Sequence, residues 1–342
     1  MKKLLAITVI ILFFSMIIFP SSGIQIEQST RTLLHRSDTL YVGGNGSGNY
    51  SKIQDAIDNS SDSDTVFVCD DSSPYFENII INKSIDLIGE NKNTTIVDGN
   101  GKGYVVTLKE DEITLSGFTI QKSGPYGSDY SGLRIFSNFN IINDNIIINN
   151  AYGIFIIRAS NNNISNNIIS NNDRGVIIYG KSDDNIITKN TIINNVGAIE
   201  ITNLGDLPPY NNIISMNNIK DNQLFGISIL DSSYTTIYKN NIENSEEGIF
   251  LFGRGFNSIK CNNFINLEID AFFSFSYFNR WNRNYWGRPM FSPKVINGYI
   301  VFFNPWKEDP FIVFEWFNYD LRPAKKPYDI TITNNIKGCG IE

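Results

Sequence analysis

The stretch that decides the fold runs from residue 145 to residue 179. It contains NIIINNAYGIFII from Asn145 and NIISNNDRGVIIY from Asn167. Runs of two to four β-branched or aromatic residues are too short for helices, and Asn, Gly and Ser interrupt them every few positions. The two segments therefore predict a unit of strand, Asn-containing bend and strand that repeats after about 22 residues.

The same unit continues along the chain. An Asn recurs at intervals of 22, 23, 28, 22 and 23 residues, and a small residue follows each Asn eight positions later. Helical repeats have longer periods of about 33 to 45 residues. The recurring Asn residues are Asn145, Asn167, Asn190, Asn218, Asn240 and Asn263, and the small residues are Gly153, Gly175, Ala198, Gly226, Gly248 and Ala271.

Such a repeat predicts a parallel β-helix, in which each turn pairs its strands with the next turn at about 4.8 Å. Asn suits the bends because it tolerates a left-handed backbone and because its amide can both donate and accept along a ladder of stacked Asn. Equivalent side chains then lie directly above one another. Residues 79–286 correspond to roughly nine turns at this period.

The flanking segments fit the same architecture. Residues 51–59 predict a short helix that covers the first turn, with Ser51 as N-cap and Ile53, Ala56 and Ile57 facing the core. Seven further strands are predicted at residues 65–68, 79–81, 85–88, 95–97, 105–108, 113–115 and 118–120. Two loops interrupt the pattern, at residues 124–131 and 203–210.

The two ends of the chain differ in composition from the repeat. Lys2 and Lys3 precede an apolar run and small residues, so residues 1–23 predict a secretory signal. We predict a linker at 24–38, a β-helix at 39–287 and an aromatic C-terminal cap at 288–342. Within the cap, Asn297-Gly298 predicts a two-residue hairpin turn, and residues 329–333 predict one more strand.

Composition excludes several classes of function. The chain has 342 residues and a net charge of −7, or −9 without the signal, which disfavours binding to nucleic acid. One His excludes mechanisms that need a His pair. Three Cys cannot form a disulfide framework. One interpretation is that all three are small buried residues. The alternative is one disulfide and one free thiol, and the preferred pair is then Cys261 with Cys339.

Several segments resemble known β-helix families. Residues 53–58 (IQDAID), 64–68, 75–81 and 85–90 resemble the first turns of right-handed, pectin-lyase-like β-helix proteins. The Asn and Gly repeats with Asn284-Tyr-Trp-Gly resemble archaeal secreted β-helix proteins of the NosD type. The first resemblance implies a scaffold that serves lyases, hydrolases, epimerases and surface proteins alike. The second implies a role in copper delivery, yet only His35, Met216 and Met290 remain as soft ligands besides the three Cys, so we predict no metal and no cofactor.

The outer face of one strand column is the predicted binding surface. When the small residues of the repeat are aligned, two columns of residues in each strand point outward. Most of the side chains in these two columns are apolar. The candidate binding residues are Phe155, Tyr179, Glu200, Phe250, Phe252, Phe273 and Phe275. Glu200 is predicted to have no charged neighbour in adjacent turns, so no catalytic pair is expected. Either the tail at 295–319 covers this face, which is preferred, or the face is an aromatic platform for sugar rings or a partner protein.

Acidic and glycosylation motifs complete the candidates. Asp62, Asp64, Asp70 and Asp71 could hold calcium but are interpreted as residues of solvated turns. Six Asn-x-Ser/Thr sequons lie at Asn45, Asn49, Asn59, Asn82, Asn93 and Asn163. We predict a secreted or cell-surface protein without catalytic activity that binds polysaccharide or surface proteins, or has a structural role. A lyase or glycoside hydrolase is the alternative, and a copper accessory protein the third.

Overall fold

The computed structural model describes residues 37–203, 205, 207–303 and 311–330, without the side chains of 301–303 and 311–312. The predicted signal, His35, Cys339 and residues 331–333 of the predicted last strand lie outside this range. The described residues form one short helix and 31 strands. No helix among them has the length and apolar character needed to cross a membrane.

The elements follow one another in short steps. The first are β1 (Thr39–Val42), α1 (Ile53–Asn59), β2 (Thr65–Val68), β3 (Ile79–Ile81), β4 (Asp86–Gly89), β5 (Ile96–Asp98), β6 (Val106–Leu108), β7 (Thr114–Ser116), β8 (Thr119–Gln121) and β9 (Ser131–Ile135). Next come β10 (Ile141–Asn143), β11 (Ile146–Ile148), β12 (Tyr152–Ile157), β13 (Asn163–Ser165), β14 (Ile168–Ser170), β15 (Arg174–Tyr179), β16 (Ile186–Thr188), β17 (Thr191–Ile193), β18 (Gly197–Thr202), β19 (Ile213–Ser215) and β20 (Asn218–Lys220). The last are β21 (Phe225–Leu230), β22 (Thr236–Tyr238), β23 (Asn241–Glu243), β24 (Glu247–Phe252), β25 (Ser258–Lys260), β26 (Asn263–Ile265), β27 (Ile269–Ser274), β28 (Arg280–Asn282), β29 (Tyr285–Trp286), β30 (Lys294–Phe303) and β31 (Phe311–Asp320).

These strands form a parallel β-solenoid of about 11 turns with three sides. Sheet A contains β1, β2, β4, β7, β10, β13, β16, β19, β22, β25, β28 and β31; sheet B contains β5, β8, β11, β14, β17, β20, β23, β26 and β29; sheet C contains β3, β6, β9, β12, β15, β18, β21, β24, β27 and β30. From β3 onward every turn passes through C, A and B in that order. The predicted β-helix is confirmed, and the seven strands predicted between residues 65 and 120 lie within one residue of those in the structure.

The core is a column of aliphatic side chains. In sheet B, for example, Ile169, Ile192 and Ile219 are fully buried and pair in register in successive turns. Their neighbours along each strand point outward and are partly exposed, except Ser170, which is buried. This period-2 alternation is what a strand with one buried face requires.

Asparagine ladders run along all three corners. At the corner between sheets A and B, each Asn side-chain N–H donates to the side-chain oxygen of the Asn in the next turn, at 3.0–3.2 Å. We call this the AB ladder; its members are Asn145, Asn167, Asn190, Asn217, Asn240, Asn262 and Asn284. The predicted members Asn218 and Asn263 are wrong by one residue, because each lies within a strand of sheet B. Similar contacts link Asn140 to Asn162 and Asn172 to Asn195 at the other two corners.

The left-handed backbone lies one residue before each ladder Asn. The residues before Asn190, Asn217 and Asn262 are Lys189, Met216 and Cys261, each with φ of 56°. The prediction that Asn itself takes the left-handed conformation is therefore wrong for the ladder positions. The side-chain amide of each ladder Asn forms the hydrogen bonds of the ladder, and the residue before it adopts the unfavourable left-handed backbone.

The predicted N-terminal helix is present, but it begins at Ile53 and is capped differently. Ile53, Ala56 and Ile57 are buried, while the N-cap is Lys52 and no side chain of the helix caps it. The carboxylate of Glu77, from the next turn, accepts the backbone N–H groups of Ile53 and Gln54 at 2.9 and 3.0 Å. The predicted Ser51 cap is therefore wrong, and a long-range carboxylate replaces it.

The C-terminal cap is a long β-hairpin that extends the stack. β30 continues sheet C, pairing in parallel with β27, and then pairs antiparallel with β31 along its whole length. Asn297 and Gly298 lie inside β30, so the predicted turn at these residues is wrong. Asp329 and Ile330, at the start of the predicted last strand, are not in a strand. Cys261 is buried, and its pairing with Cys339 remains a prediction.

Candidate functional site

The outer face of sheet C places most of the predicted column as expected. Phe155, Ile177, Glu200, Ser228 and Phe250 pair in consecutive strands. The next residue in this column is Phe272, which stacks on Phe250 with ring centroids 5.9 Å apart.

Phe273 was predicted to point outward, and this is wrong. It pairs with Leu251 and is fully buried in the core. The prediction took Asn263 as the repeating Asn of this turn, whereas the ladder member is Asn262. This shift of one residue placed the later residues of the turn one position out of register.

A second outward column follows two residues later. Tyr179 pairs with Ile157 and Thr202, and Phe252 pairs with Leu230 and Ser274. Phe275, which was assigned to this column, lies just beyond β27 with φ of 57°. The ring centroids of Phe275 and Phe252 are 5.4 Å apart, and the two rings meet edge-on. Phe275 therefore still contacts the aromatic residues of this face near its C-terminal end.

In the N-terminal half of this face, neighbouring side chains bury one another. Phe155, Ile157 and Ile177 form a small buried cluster, against which Tyr152 and Tyr179 pack. Both tyrosine rings meet Phe155 in T-shaped contacts at 5.4 and 6.1 Å. The predicted coverage by residues 295–319 is wrong, because the hairpin lies at the end of the stack and pairs with β27 and β28 instead.

An ionic cluster lies beside the aromatic rings. Arg174 Nε is 3.1 Å from Glu200 Oε2, and its Nη1 is 3.1 Å from Asp173 Oδ1. The two carboxylates come from adjacent turns and are bridged by one guanidinium. The prediction that Glu200 has no charged neighbour in adjacent turns is therefore wrong.

Gly197 explains how Arg174 reaches Glu200. Gly197 pairs with Arg174 in the turn before and with Phe225 in the turn after. A Cβ on Gly197 would lie 2.4 Å from the ring of Phe225, so only glycine leaves room for that ring. The guanidinium of Arg174 lies 5.3 Å from the same ring centroid and runs along the sheet to Glu200.

Two tyrosines complete this cluster. Burial raises the pKa of Tyr152, and the negative charges of Asp173 and Glu200 raise it further. Burial and Asp173 likewise raise the pKa of Tyr126. Tyr126 comes from the loop at 124–131 and donates its hydroxyl to the carbonyl of Asn171 at 2.9 Å. Both phenols are hydrogen-bond donors at neutral pH and poor proton acceptors.

Sequence reasoning missed Tyr126, Tyr152, Asp173, Arg174 and Phe225. A signal was present, because Tyr152, Arg174 and Phe225 each precede the small residue of the repeat. Strict alternation of inward and outward side chains along the strand predicts that this position points inward. The strands instead place two consecutive residues, such as Gly175 and Val176, towards the interior.

A second arginine lies on the same face near its N-terminal end. Arg134 stacks over the rings of Tyr104 and Phe136, with its guanidinium carbon 4.0 and 4.6 Å from their centroids. Asp129 lies 3.7 Å from the guanidinium and accepts a hydrogen bond from Tyr104. Arg134 is thus held flat between aromatic rings.

The four N-terminal aspartates flank β2, and each accepts a hydrogen bond from a different residue. Asp62 accepts the N–H of Ser84, Asp64 that of Asp38, and Asp71 that of Gly44, while Asp70 accepts the hydroxyl of Thr94. Across the described residues, no group of three or more His, Cys, Asp and Glu side chains is arranged to hold a metal ion.

The sequons differ in accessibility. Asn45, Asn59, Asn82 and Asn93 are exposed, whereas Asn49 and Asn163 are partly buried. Asn49 donates its side-chain N–H to the carbonyl of Gly43 at 2.5 Å. Asn163 lies within β13 and its side-chain oxygen is enclosed.

These features define a three-sided parallel β-solenoid with asparagine ladders, one short capping helix and an aromatic, ionic outer face on sheet C. The chain belongs to the right-handed β-helix family. The profile of that family, described as right handed beta helix region, matches residues 18–192 and, in an overlapping second match, residues 103–265.

Individual relatives share parts of the chain. A cell surface glycoprotein of Methanothermus fervidus is 31% identical over 97 residues, which is 28% of this chain and 16% of that protein. The structure of pectate lyase Pel9A has a TM-score of 0.50 at 15% identity and covers 72% of this chain and 78% of the lyase. The A-module of Azotobacter vinelandii mannuronan C-5 epimerase AlgE4 has a TM-score of 0.49 at 13% identity, over 65% of this chain and 79% of the module. At 15% identity the likeness to the pectate lyase shows the fold alone, which is the pectin-lyase-like fold that the sequence predicted.

Proposed function

We propose that the protein is a secreted or cell-surface binding protein that holds a carbohydrate on the outer face of sheet C. The observation that carries this proposal is the bridge from Arg174 to Asp173 and Glu200 beside the rings of Tyr152 and Phe225. Carboxylates and guanidinium groups hydrogen-bond sugar hydroxyls, and aromatic rings pack against the apolar faces of sugar rings. The relative named cell surface glycoprotein supports the location.

Three features favour binding over catalysis. Both carboxylates of the cluster are already engaged by Arg174, and the neighbouring phenols are poor bases at neutral pH. Glu247, whose pKa is raised by burial and by Glu246, lies in a strand two turns from Glu200. Glu247 is in register with Gly197, three residues before Glu200. The two backbones are therefore about 10 Å apart along the stack and about 10 Å apart along the strand direction, which is well beyond the separation of about 6.5 to 9.5 Å between the carboxyl groups of inverting hydrolases.

The test is a glycan array with the whole secreted chain, followed by titration of each hit. We expect Arg174→Ala to weaken binding at least about tenfold, because two carboxylates lose their common partner. Arg158→Ala is the matched control, since Arg158 is exposed and lies outside this cluster. The absence of any glycan hit, or an equal effect of both substitutions, would contradict the proposal.

A polysaccharide-active enzyme is the second candidate. Its supporting observation is that Asp173 and Glu200 each lie 3.1 Å from one guanidinium, so two carboxylates lie near each other on an open face. An enzyme would release reducing ends or unsaturated products from a uronate polymer, and Glu200→Gln would abolish that release. Product formation lost in this variant would establish catalysis in place of simple binding.

The predicted boundaries belong to the same proposal. Cleavage after residue 23 releases a chain in which residues 24–38 lead into the β-helix. Exposed sequons at Asn45, Asn59, Asn82 and Asn93 are the better glycan acceptors, and enclosed Asn163 the poorest. N-terminal sequencing and intact mass of the secreted protein test both points.

A further inference from the structure

A basic groove lies on a different side of the solenoid, on the outer face of sheet A near its C-terminal end. It has a volume of about 610 Å³ and crosses four successive turns, from β19 to β28. Its floor includes Tyr238, Lys260 and Asn282, which pair in register in consecutive turns. Arg283 and Arg322 complete the wall.

The charge of this groove is opposite to that of the chain. Three of its lining side chains are cationic and none is acidic, although the whole chain carries −7. Neither Lys260 nor Arg322 forms an ion pair with any residue in the described part of the chain. The ammonium of Lys260 lies 5.5 Å from the ring centroid of Tyr238, which holds it over the floor of the groove.

A buried carboxylate binds the backbone of two of the lining residues. Asp320 is fully buried, and its oxygens accept the backbone N–H groups of Arg283, Asn284 and Arg322 and the indole N–H of Trp286. It therefore organises the inner end of the groove without reaching its surface. Unpaired cations in a concave surface attract anions and concentrate them.

A column of stacked aromatic rings borders the same sheet. Tyr234, Phe256 and Phe278 each lie two residues before a strand of sheet A, and their rings stack at 5.4 and 5.1 Å. All three take a left-handed backbone, with φ of 58°, 61° and 56°. Phe278 is 72% exposed and stacks on Phe256 through one face.

The fold does not require aromatic residues at this corner. Three earlier turns have Asn161, Asp184 and Asn211 at the same left-handed position, and these residue types tolerate that conformation. Bulky aromatic residues are unfavourable there, and their exposure adds no buried area. Phe139 also occupies this position in an earlier turn. The feature that points to a binding role here is therefore the continuous stack of aromatic rings in three consecutive turns.

We propose that this groove is a second binding site, which takes a linear acidic glycan carrying carboxylate or sulfate groups. The repeat of about 4.8 Å per turn places Lys260 and Arg322 two turns apart, so charges spaced along one polymer can meet both. The exposed ring edges and the open face of Phe278 contact apolar sugar surfaces. The site is separate from the face of sheet C and does not rest on the function proposed for that face.

The test measures binding of the full chain to polygalacturonate, dextran sulfate and neutral dextran at low and raised salt. We expect both charged polymers to bind, dextran not to bind, and added salt to weaken binding. The double variant Lys260→Gln/Arg322→Gln should lose at least about tenfold in affinity, because each lost contact is charge-assisted. The matched control Lys102→Gln/Lys109→Gln makes the same change in net charge at two exposed lysines away from the groove and should change affinity less than about twofold.

Phe278→Asn tests the aromatic border without disturbing the fold, because Asn favours the left-handed backbone. It should retain stability and weaken binding about threefold or more. Equal losses in the two double variants, or equal binding of dextran, would overturn the proposal. Poly-glutamate bound as tightly, with the same loss in the groove variant, would assign the site to acidic polypeptides instead. Arg174→Ala should leave this binding unchanged, which separates the result from the test on sheet C. Preference between polygalacturonate and dextran sulfate identifies the anionic group.

Discussion

The side-chain N–H of Asn284 donates to Asp320 Oδ2 at 3.1 Å, and this contact ends the AB ladder. In every earlier turn of that ladder the acceptor is the amide oxygen of the next Asn. The last turn has no such successor, and a carboxylate from the hairpin takes its place. Because a carboxylate accepts without needing to donate, it leaves no unsatisfied group at the end of the column. The hairpin therefore caps the stack by hydrogen bonding as well as by strand pairing.

Asp320→Ala should destabilise the C-terminal turns by about 3 kcal/mol or more. The substitution leaves the backbone N–H groups of Arg283 and Asn284 and the indole of Trp286 buried without an acceptor. Guanidinium unfolding followed by tryptophan fluorescence measures this, since Trp281 and Trp286 are in the affected turns. Glu315→Ala, on the exposed part of β31, should shift stability by no more than about 0.5 kcal/mol. Equal effects of the two substitutions would show that the carboxylate is dispensable.

Asn190→Asp should be strongly destabilising although the two side chains have nearly the same shape. Asn190 accepts from the side chain of Asn167 and donates to the oxygens of Ile164 and Asn217. A carboxylate would face two acceptors in a fully buried position, which costs about 3 kcal/mol or more at neutral pH.

Asn194→Asp is the control for this substitution. Asn194 lies four residues away, is exposed and has a left-handed backbone that Asp also tolerates. Its free energy of unfolding, measured with urea, should match that of the wild type within about 0.5 kcal/mol. If the ladder contributed nothing to stability, the two variants would have the same free energy of unfolding.

Tyr75 should make stability depend on pH in the alkaline range. It donates its hydroxyl to the carbonyl of Cys69 at 2.7 Å. Burial raises the pKa of Tyr75 to about 12, with the charge of Asp71 adding to the rise and the hydroxyl of Ser72 opposing it. In the unfolded chain the pKa is about 10. The stabilisation from the neutral phenol is therefore complete below about pH 10 and is lost as pH rises towards 12.

The measurement compares wild type with Tyr75→Phe between pH 8 and pH 12. At pH 8 the variant should be less stable by about 1 kcal/mol, the usual worth of one hydrogen bond. The difference should shrink above about pH 10, because the phenol then ionises in the unfolded wild type and stabilises that state, whereas the variant has no phenol to ionise. A difference that stayed constant across the range would mean that the phenol of Tyr75 ionises equally in both states.

The fold could be predicted from the sequence because its decisive signal is repeated. The Asn residues, the buried apolar residue two positions after each ladder Asn and the capping helix all indicate the same stacked strands. The register was harder to assign where two Asn adjoin, as at Asn217-Asn218. The buried residue Ile219 identifies Asn217 as the ladder member, because Ile169 and Ile192 also lie two positions after theirs.

The candidate site was only partly predictable for a different reason. Column reasoning finds side chains that lie directly above one another, such as Phe155 and Ile177. It does not find Arg174, whose long side chain reaches diagonally to Glu200 because Gly197 leaves space above it. The hairpin was also misplaced, because Asn297-Gly298 has the composition of a turn while its position in β30 is set by pairing with β27.

The corrected register of the last turn predicts opposite outcomes for two adjacent phenylalanines. Phe273 is fully buried, and a Cβ on Gly298 of β30 would lie 2.6 Å from its ring, so it fills the core beneath the hairpin. Phe273→Ala should therefore cost about 3 to 5 kcal/mol. Phe272 is partly exposed and stacks on Phe250 at 5.9 Å, so Phe272→Ala should cost only about 0.5 to 1.5 kcal/mol. Chemical unfolding of the two single variants decides the point: a larger loss for Phe272→Ala would restore the register in which Phe273 faces outward, and with it an aromatic column that continues to the end of the stack.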